Sequence, residues 1–160
     1  MTPDTQHQAI RFATQADAAD IAAMSRDDIE HGLQWTWTES RIAYAIATAD
    51  TNVIVVGEPK SILGFGIMSY PNDDAHLLLF AVRRAHRRRG LGTRMLNWLE
   101  QVARTTGARH IRVECRREND AARNFYCEHG YHELAIRPKR YRGVVDGILL
   151  EKHLAVGAPE

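Results

Sequence analysis

The sequence predicts an α/β (α+β) fold: a mixed, mostly antiparallel central sheet flanked by helices, with one parallel β-α-β crossover. Three observations carry this prediction. Residues 52–56 and 62–69 are β-rich segments separated by Gly57, Pro59 and Lys60, the pattern of an antiparallel hairpin. Residues 77–82, the stripe from Leu91 to Ala103, and residues 110–115 read as strand, helix, strand, a passage that implies parallel strands. Shorter helical stripes before and after that passage supply further apolar faces for a sheet to bury.

From the N-terminus, residues 1–8 are polar and expected to be loose. Residues 10–13 read as a short strand, and Asp17 as the cap of a helix with Ala18, Ile21, Met24 and Ile29 on one face. Thr36 and Glu39 have capping-box spacing, ahead of a second helix lined by Ile42, Ala45, Ile46 and Ala49. The hairpin and the buried strand at 77–82 come next. Leu91, Met95, Leu96, Leu99, Val102 and Ala103 then fall on one helical stripe that Gly107 would close. After the strand at 110–115, Asn119 can cap a helix running through Phe125 to Gly130, and strands at 131–136 and 144–150 finish the fold, leaving 155–160 as a tail. No internal linker divides the 160 residues, so one domain over 1–160 is expected.

Composition narrows the function classes. Hydrophobic residues make up 44% and charged residues 26%, ordinary values for a globular domain. Lys and Arg number 21 against 20 Asp and Glu, a balance that argues against a chain whose main role is coating nucleic acid or anionic membrane. The two cysteines, Cys115 and Cys127, are too few for a disulfide scaffold, and no basic stretch followed by an apolar one opens the sequence. A reduced, cytoplasmic setting is expected. The apolar run at 77–82 falls far short of the roughly 20 residues of a membrane helix.

Between the strand ending at Val82 and the helix starting near Gly92 lies Arg87-Arg88-Arg89-Gly90-Leu91-Gly92. Glycines allow successive N–H groups to turn inward as a nest, and the following helix adds the positive end of its dipole, so a pyrophosphate could be held by backbone. Arg83, Arg84 and His86 add positive charge nearby. A dinucleotide fingerprint would need a glycine where Met95 stands, and a P-loop would need Lys-Ser/Thr after its last glycine. Taken alone, the loop reads equally well as a solvated basic turn at a helix entry.

Further residues decide between these readings. Arg87-x-x-Gly90-x-Gly92 resembles the R/Q-x-x-G-x-G/A acetyl-CoA loop of GNAT acyltransferases, and Asn119-x-x-Ala122-x-x-Phe125-Tyr126 followed by Gly130-Tyr131 is similar to a downstream segment of that family. The match spans residues 75–131, with agreement in the order of elements from residue 10 onward. Phe80-Ala81-Val82, the arginine loop, Val113-Glu114-Cys115-Arg116 and Asn119 together resemble bacterial ribosomal-protein N-terminal alanine acetyltransferases. Arg83-Arg84 departs from that group, where an Asp-Pro pair is common, and residues 34–40 match it only in a Trp37-Thr38-x-Ser40 fragment.

The resemblance implies a GNAT-like sheet whose parallel crossover holds the CoA loop. It implies acetyl-CoA as co-substrate, no metal, and direct attack by a primary amine in a ternary complex, most closely a protein or peptide N-terminal amine. The alternative acceptor is a small amine such as a polyamine, an amino acid or an aminoglycoside. Phe80, Ala81 and Val82 would splay from the neighbouring strand and offer backbone groups to the pantetheine arm and the thioester carbonyl. Arg87, Arg88, Arg89, Gly90, Leu91, Gly92 and Thr93 would hold the phosphates, and Asn119 would contact the cofactor while also capping its helix.

In the same reading Glu114 is the general base and Tyr126 the general acid for the departing thiolate. Each has a plainer alternative: Glu114 could point outward from its strand, and Tyr126 could simply pack beside Phe125. A carboxylate is a weak base toward an amine, so burial would have to raise its pKa or a water would have to relay the proton. Cys127, His129 and His132 make a poor metal set, bunched at a helix end without a fourth ligand. Trp35, Trp37 and His31 border the acceptor cleft or belong to the core. A non-catalytic acyl-CoA sensor is disfavoured by the complete Glu114 and Tyr126 pair, and nucleic-acid binding by the short basic run. Nothing chooses between monomer and homodimer.

Overall fold

The structure is a computed structural model that describes residues 8–141, 143 and 145–154. Most of the expected loose ends, and Val144, where the last strand was expected to start, lie outside these residues. The chain forms two compact units, the first running to Ser69 and including Leu79–Leu99, the second comprising Tyr70–Leu78 and the chain from Glu100 onward. The strands follow the order β1-β2-β3-β4-β5-β7-β6, mostly antiparallel, with β4 and β5 parallel. They are β1 (Ile10–Phe12), β2 (Thr51–Glu58), β3 (Ser61–Ser69), β4 (Ala75–Val82), β5 (His110–Arg116), β6 (His132–Tyr141) and β7 (Val145–His153). This is the expected mixed architecture. Its helices are α1 (Ala18–Met24), α2 (Glu39–Ala47), α3 (Leu91–Thr105) and α4 (Asp120–Glu128).

In the first unit, β2 is buried from Val53 through Gly57 without alternation, which requires cover on both faces. One face, with Val53, Val55, Phe65, Ile67, Leu79 and Ala81, packs with Ile21, Met24, Ile42 and Ala45 of α1 and α2. The opposite face receives α3. A Cβ on Gly64 would lie 2.9 Å from Met95 Sδ and from the Ala81 carbonyl, and one on Gly66 would lie 2.9 Å from Leu99 Cδ1. These two glycines let the helix seat directly on β3. The hairpin turn bulges at Gly57, whose φ of +103° and 2.8 Å Cβ approach to the Ser61 carbonyl both require glycine.

Local details correct three expectations. Thr38, not Thr36, caps α2, accepting from Arg41 N at 3.4 Å. Ala49 lies beyond the helix and is exposed. Asp17 makes no side-chain cap on α1. Its carboxylate instead accepts from the Arg11 guanidinium at 2.8 and 2.9 Å and from Thr14 N at 2.8 Å, before the short 3-10 turn Gln15–Asp17. The ion pair has priority because the Asp17 side chain is fully buried, and a buried carboxylate needs a countercharge.

In the second unit, β5 runs antiparallel to β7, with Val113 opposite Leu150 and Glu114 opposite Leu149, and β7 is flanked by β6. Buried Glu100 accepts from Lys152 Nζ at 2.9 and 3.0 Å. Gly130, at φ +89°, ends α4 and brings Tyr131 N to within 3.0 Å of the Tyr126 carbonyl. The strand expected over 131–136 extends to Tyr141. Most of its residues are exposed, so burial alternation gave no signal for its true end.

Candidate functional site

The loop after β4 is built by a chain of hydrogen bonds. Arg83 N donates to the Leu63 carbonyl at 2.8 Å and Arg83 Nε to the Ile62 carbonyl at 2.6 Å, tying the strand exit to β3. A 3-10 turn, Arg84–His86, reverses the chain, and Arg87 Nε reaches back to the Val82 carbonyl at 2.9 Å. Arg88 (φ +62°) and Gly90 (φ +79°) are both left-handed, the backbone that turns neighbouring N–H groups to one side. Leu91, 2% exposed, anchors the first turn of α3, and Arg94 N closes its first bond on the Gly90 carbonyl at 3.1 Å.

Residues 87–90 are exposed while the helix behind them is fixed by buried Met95, Leu96 and Leu99. A preformed, solvent-facing loop at a helix N-terminus is suited to an anion. The structure places Arg87 through Thr93 together on this loop and first turn, one short 3-10 turn after Phe80, Ala81 and Val82. Ala81 is 7% exposed and packs in the core, so its side chain is structural. The parallel register of β4 with β5 covers only Ala75↔Ile111 to Leu77↔Val113, although both strands continue. Phe80 to Val82 follow this paired stretch and belong to the first unit.

In the second unit the structure places Glu114, Asn119 and Tyr126. Asn119 caps α4, accepting from Ala122 N at 3.1 Å, which leaves its exposed amide nitrogen as the remaining donor. Tyr126 is 5% exposed, and its ring meets that of Tyr131 edge-on at 5.5 Å. Burial, reinforced by Cys115 and Tyr141, pushes its phenol well above the usual tyrosine range. The group therefore stays protonated. Cys115 is likewise raised by burial, to about 11, which keeps it an inert thiol.

Glu114 is not enclosed in an apolar pocket. Its Oε2 accepts from Arg140 Nε at 2.9 Å and its Oε1 lies 3.3 Å from Arg137 Nε. Both arginines come from β6, on the far side of β7. Gly147 makes that reach possible: a Cβ there would lie 3.1 Å from the Tyr141 ring and 3.3 Å from Arg140 Cβ. Tyr141 sits in the same neighbourhood, its phenol pushed up to about 12, first by burial and then by Glu114 and Cys115.

Arg137, Arg140 and Tyr141 were not singled out from sequence, because a basic edge strand reads as a solvated face. Strand pairing sets Gly147 of β7 opposite Arg137, a relation that no local pattern in the sequence carries. Glu30 was also missed. It is 8% exposed and accepts from Thr36 N at 2.8 Å, Trp37 N at 3.1 Å and the Thr36 hydroxyl, shaping the segment between α1 and α2. Trp37 packs partly against the core with Arg41 3.7 Å above its ring, whereas Trp35 is 39% exposed. Trp37 thus contributes to the core, and Trp35 is open to solvent. Cys127 is exposed, and the His129 ring is engaged by the Phe125 carbonyl at 2.7 Å from Nδ1.

Comparison with known proteins agrees with this fold. An uncharacterized N-acetyltransferase of Methanocaldococcus jannaschii is 32% identical over 92 residues, 57% of this chain; the matched stretch spans 59% of that relative's length. The ribosomal-protein-S18-alanine N-acetyltransferase of Escherichia coli superposes with a TM-score of 0.77 at 22% identity, over 96% of this chain and 97% of that one. The PaiA N-acetyltransferase of Thermoplasma acidophilum, solved with coenzyme A, superposes with a TM-score of 0.74 at 16% identity, over 92% of this chain and 99% of that one. At those identities the two structures establish the fold. The acetyltransferase (GNAT) family model matches residues 18–131, a span holding both the arginine-glycine loop and Tyr126, and the chain belongs to that family.

Proposed function

We propose that this protein is an acetyl-CoA-dependent N-acetyltransferase that transfers an acetyl group to a primary amine by direct attack, with protein or peptide N-terminal amines as its preferred acceptors. The observation that carries this reading is the loop from Arg87 to Gly92, exposed over residues 87–90, with left-handed Arg88 and Gly90 leading into a helix anchored by buried Leu91, Met95, Leu96 and Leu99. It is an anion cradle of the kind a CoA pyrophosphate requires. Arg87, Arg88 and Arg89 add charge to it, and Phe80, Ala81 and Val82 offer the pantetheine arm their backbone.

The attacking amine must be neutral, and the departing thiolate must acquire a proton. Tyr126 suits the second requirement, because a buried phenol that stays protonated donates to the sulfur as the C–S bond breaks. Glu114 suits the first through water, since its carboxylate is already engaged by Arg137 and Arg140. An ordered water between carboxylate and amine passes the proton without direct contact. An α-amine, with a pKa near 8, is substantially neutral around pH 7 to 8, whereas a lysine near 10.4 is not, so α-amines make the smaller demand on Glu114.

The test compares kcat/KM for peptides with free Ala or Ser N-termini, the same peptides with blocked N-termini and free lysines, and polyamines. Free α-amines are expected to lead by at least about tenfold, the fraction-neutral difference alone favouring them by more than that. Preference for blocked peptides or polyamines would replace the proposed acceptor with a lysine or a small amine.

A further inference from the structure

We propose that His110, Glu151 and His153 form a binding site for a divalent transition-metal ion, with zinc(II) the ion that this ligand set suits. His110 opens β5 and stands directly opposite His153 on β7. Glu151, two residues before His153, projects from the same face of the strand. Strand pairing therefore brings an imidazole, a second imidazole and a carboxylate to one place. One ligand atom from each lies within 4.8 Å of the others, and the two rings meet edge-on at 4.4 Å.

Donors on a tetrahedral zinc with bonds of about 2.0–2.2 Å are themselves separated by roughly 3.3–3.5 Å. Glu151 Oε1 and His153 Nε2 are already 3.4 Å apart. The His153 side chain is 73% exposed, which leaves its ring room to adjust toward a shared ion. Glu151 is nearly buried and is oriented by Arg112, whose Nε donates to Oε2 at 2.7 Å. That bond leaves Oε1 to face His153.

Asp74 supplies the outer partner that metal-binding histidines use. His110 Nδ1 donates to Asp74 Oδ1 at 3.0 Å, which fixes the tautomer whose Nε2 carries the lone pair. Arg112 also lies 4.0 Å from Asp74, so one guanidinium is shared by two carboxylates, Asp74 and Glu151, whose combined charge exceeds its own. Two imidazoles with one carboxylate favour zinc over magnesium or calcium, which prefer all-oxygen shells. Three protein ligands leave a position for water. The exposure of His153 suits this, and the bound ion would pin the first residue of β5 to the last of β7.

The test is calorimetric titration of the metal-free full chain with zinc chloride, repeated for His153→Ala, His110→Ala and Asp74→Asn, with magnesium chloride as the comparison ion. One equivalent of zinc is expected, with affinity lowered at least about tenfold in each variant, Asp74→Asn acting through its effect on His110. Cobalt(II) in place of zinc should give a visible spectrum that His153→Ala abolishes. The exposed His153 can be changed without threatening the fold, so its variant decides the matter if His110→Ala is unstable. Absence of saturable zinc binding would overturn the site. So would zinc affinity that is unchanged in His153→Ala or lost instead in Cys127→Ser or His129→Ala.

Discussion

At the scale of single residues, burial separates roles that the letters alone leave open. Tyr126 is enclosed and its phenol is held protonated, so Tyr126→Phe removes a proton donor without altering the apolar part of the ring. Steady-state kinetics with calorimetry should show kcat falling by about 10²–10⁴-fold, with acetyl-CoA affinity changed less than about threefold. Retained turnover would take Tyr126 out of the mechanism. Asp17 gives a second prediction. Its pKa is lowered, chiefly by Arg11, so the pair's stabilisation is fully present above the ordinary carboxylate range and is lost as pH falls through the lower, folded-state pKa. Asp17→Asn should cost about 3 kcal/mol near neutrality, and the gap from the parent protein should shrink in denaturant titrations as pH drops below about 4. Asp17 was legible as a helix-entry residue and not as an ion pair, because the partner at Arg11 is recruited by burial that no local pattern reveals.

At the scale of elements, the long stripe of α3 and the glycine loop before it were readable because both signals are local: a helical period and a motif at its start. Gly90 needs its left-handed φ, whereas Gly92 lies within the helix. Gly90→Val should strain the backbone by about 1–2 kcal/mol and lower acetyl-CoA affinity at least tenfold by calorimetry, as judged from the cost of a non-glycine residue in that region. Unchanged affinity in the folded variant would show that the loop is a basic turn. The edge strand β6 was less legible. The placement of Arg140 and Tyr141 depends on Gly147 across β7, a relation between strands that emerges only from their register. Gly147→Val should displace Arg140 and Tyr141 and break the Arg140–Glu114 ion pair, leaving the Glu114 carboxylate less firmly oriented, so kcat/KM should fall by more than the loss in thermal stability accounts for, as kinetics alongside thermal melts would show.

At the scale of the whole molecule, a nearly balanced charge conceals a local concentration of arginines, and this contrast is what distinguishes an anion cradle from a general polyanion-binding surface. The first unit carries the loop and the second carries Tyr126 and Glu114, so the family assignment rests on residues from both. Fold and family follow from patterns spread along the sequence. The acceptor does not, since a fold shared by many activities does not name it, and the segment between α1 and α2 is shaped by contacts of the buried Glu30 carboxylate to Thr36 and Trp37 that no local pattern reveals. The most direct test of the account is mass spectrometry of a reaction containing the purified protein, acetyl-CoA and a peptide with a free N-terminal amine. The account predicts one acetyl group on the α-amine for each CoA released, with that product suppressed in Tyr126→Phe. Hydrolysis of acetyl-CoA without an acetylated amine, or no CoA release with any peptide or small amine, would contradict it.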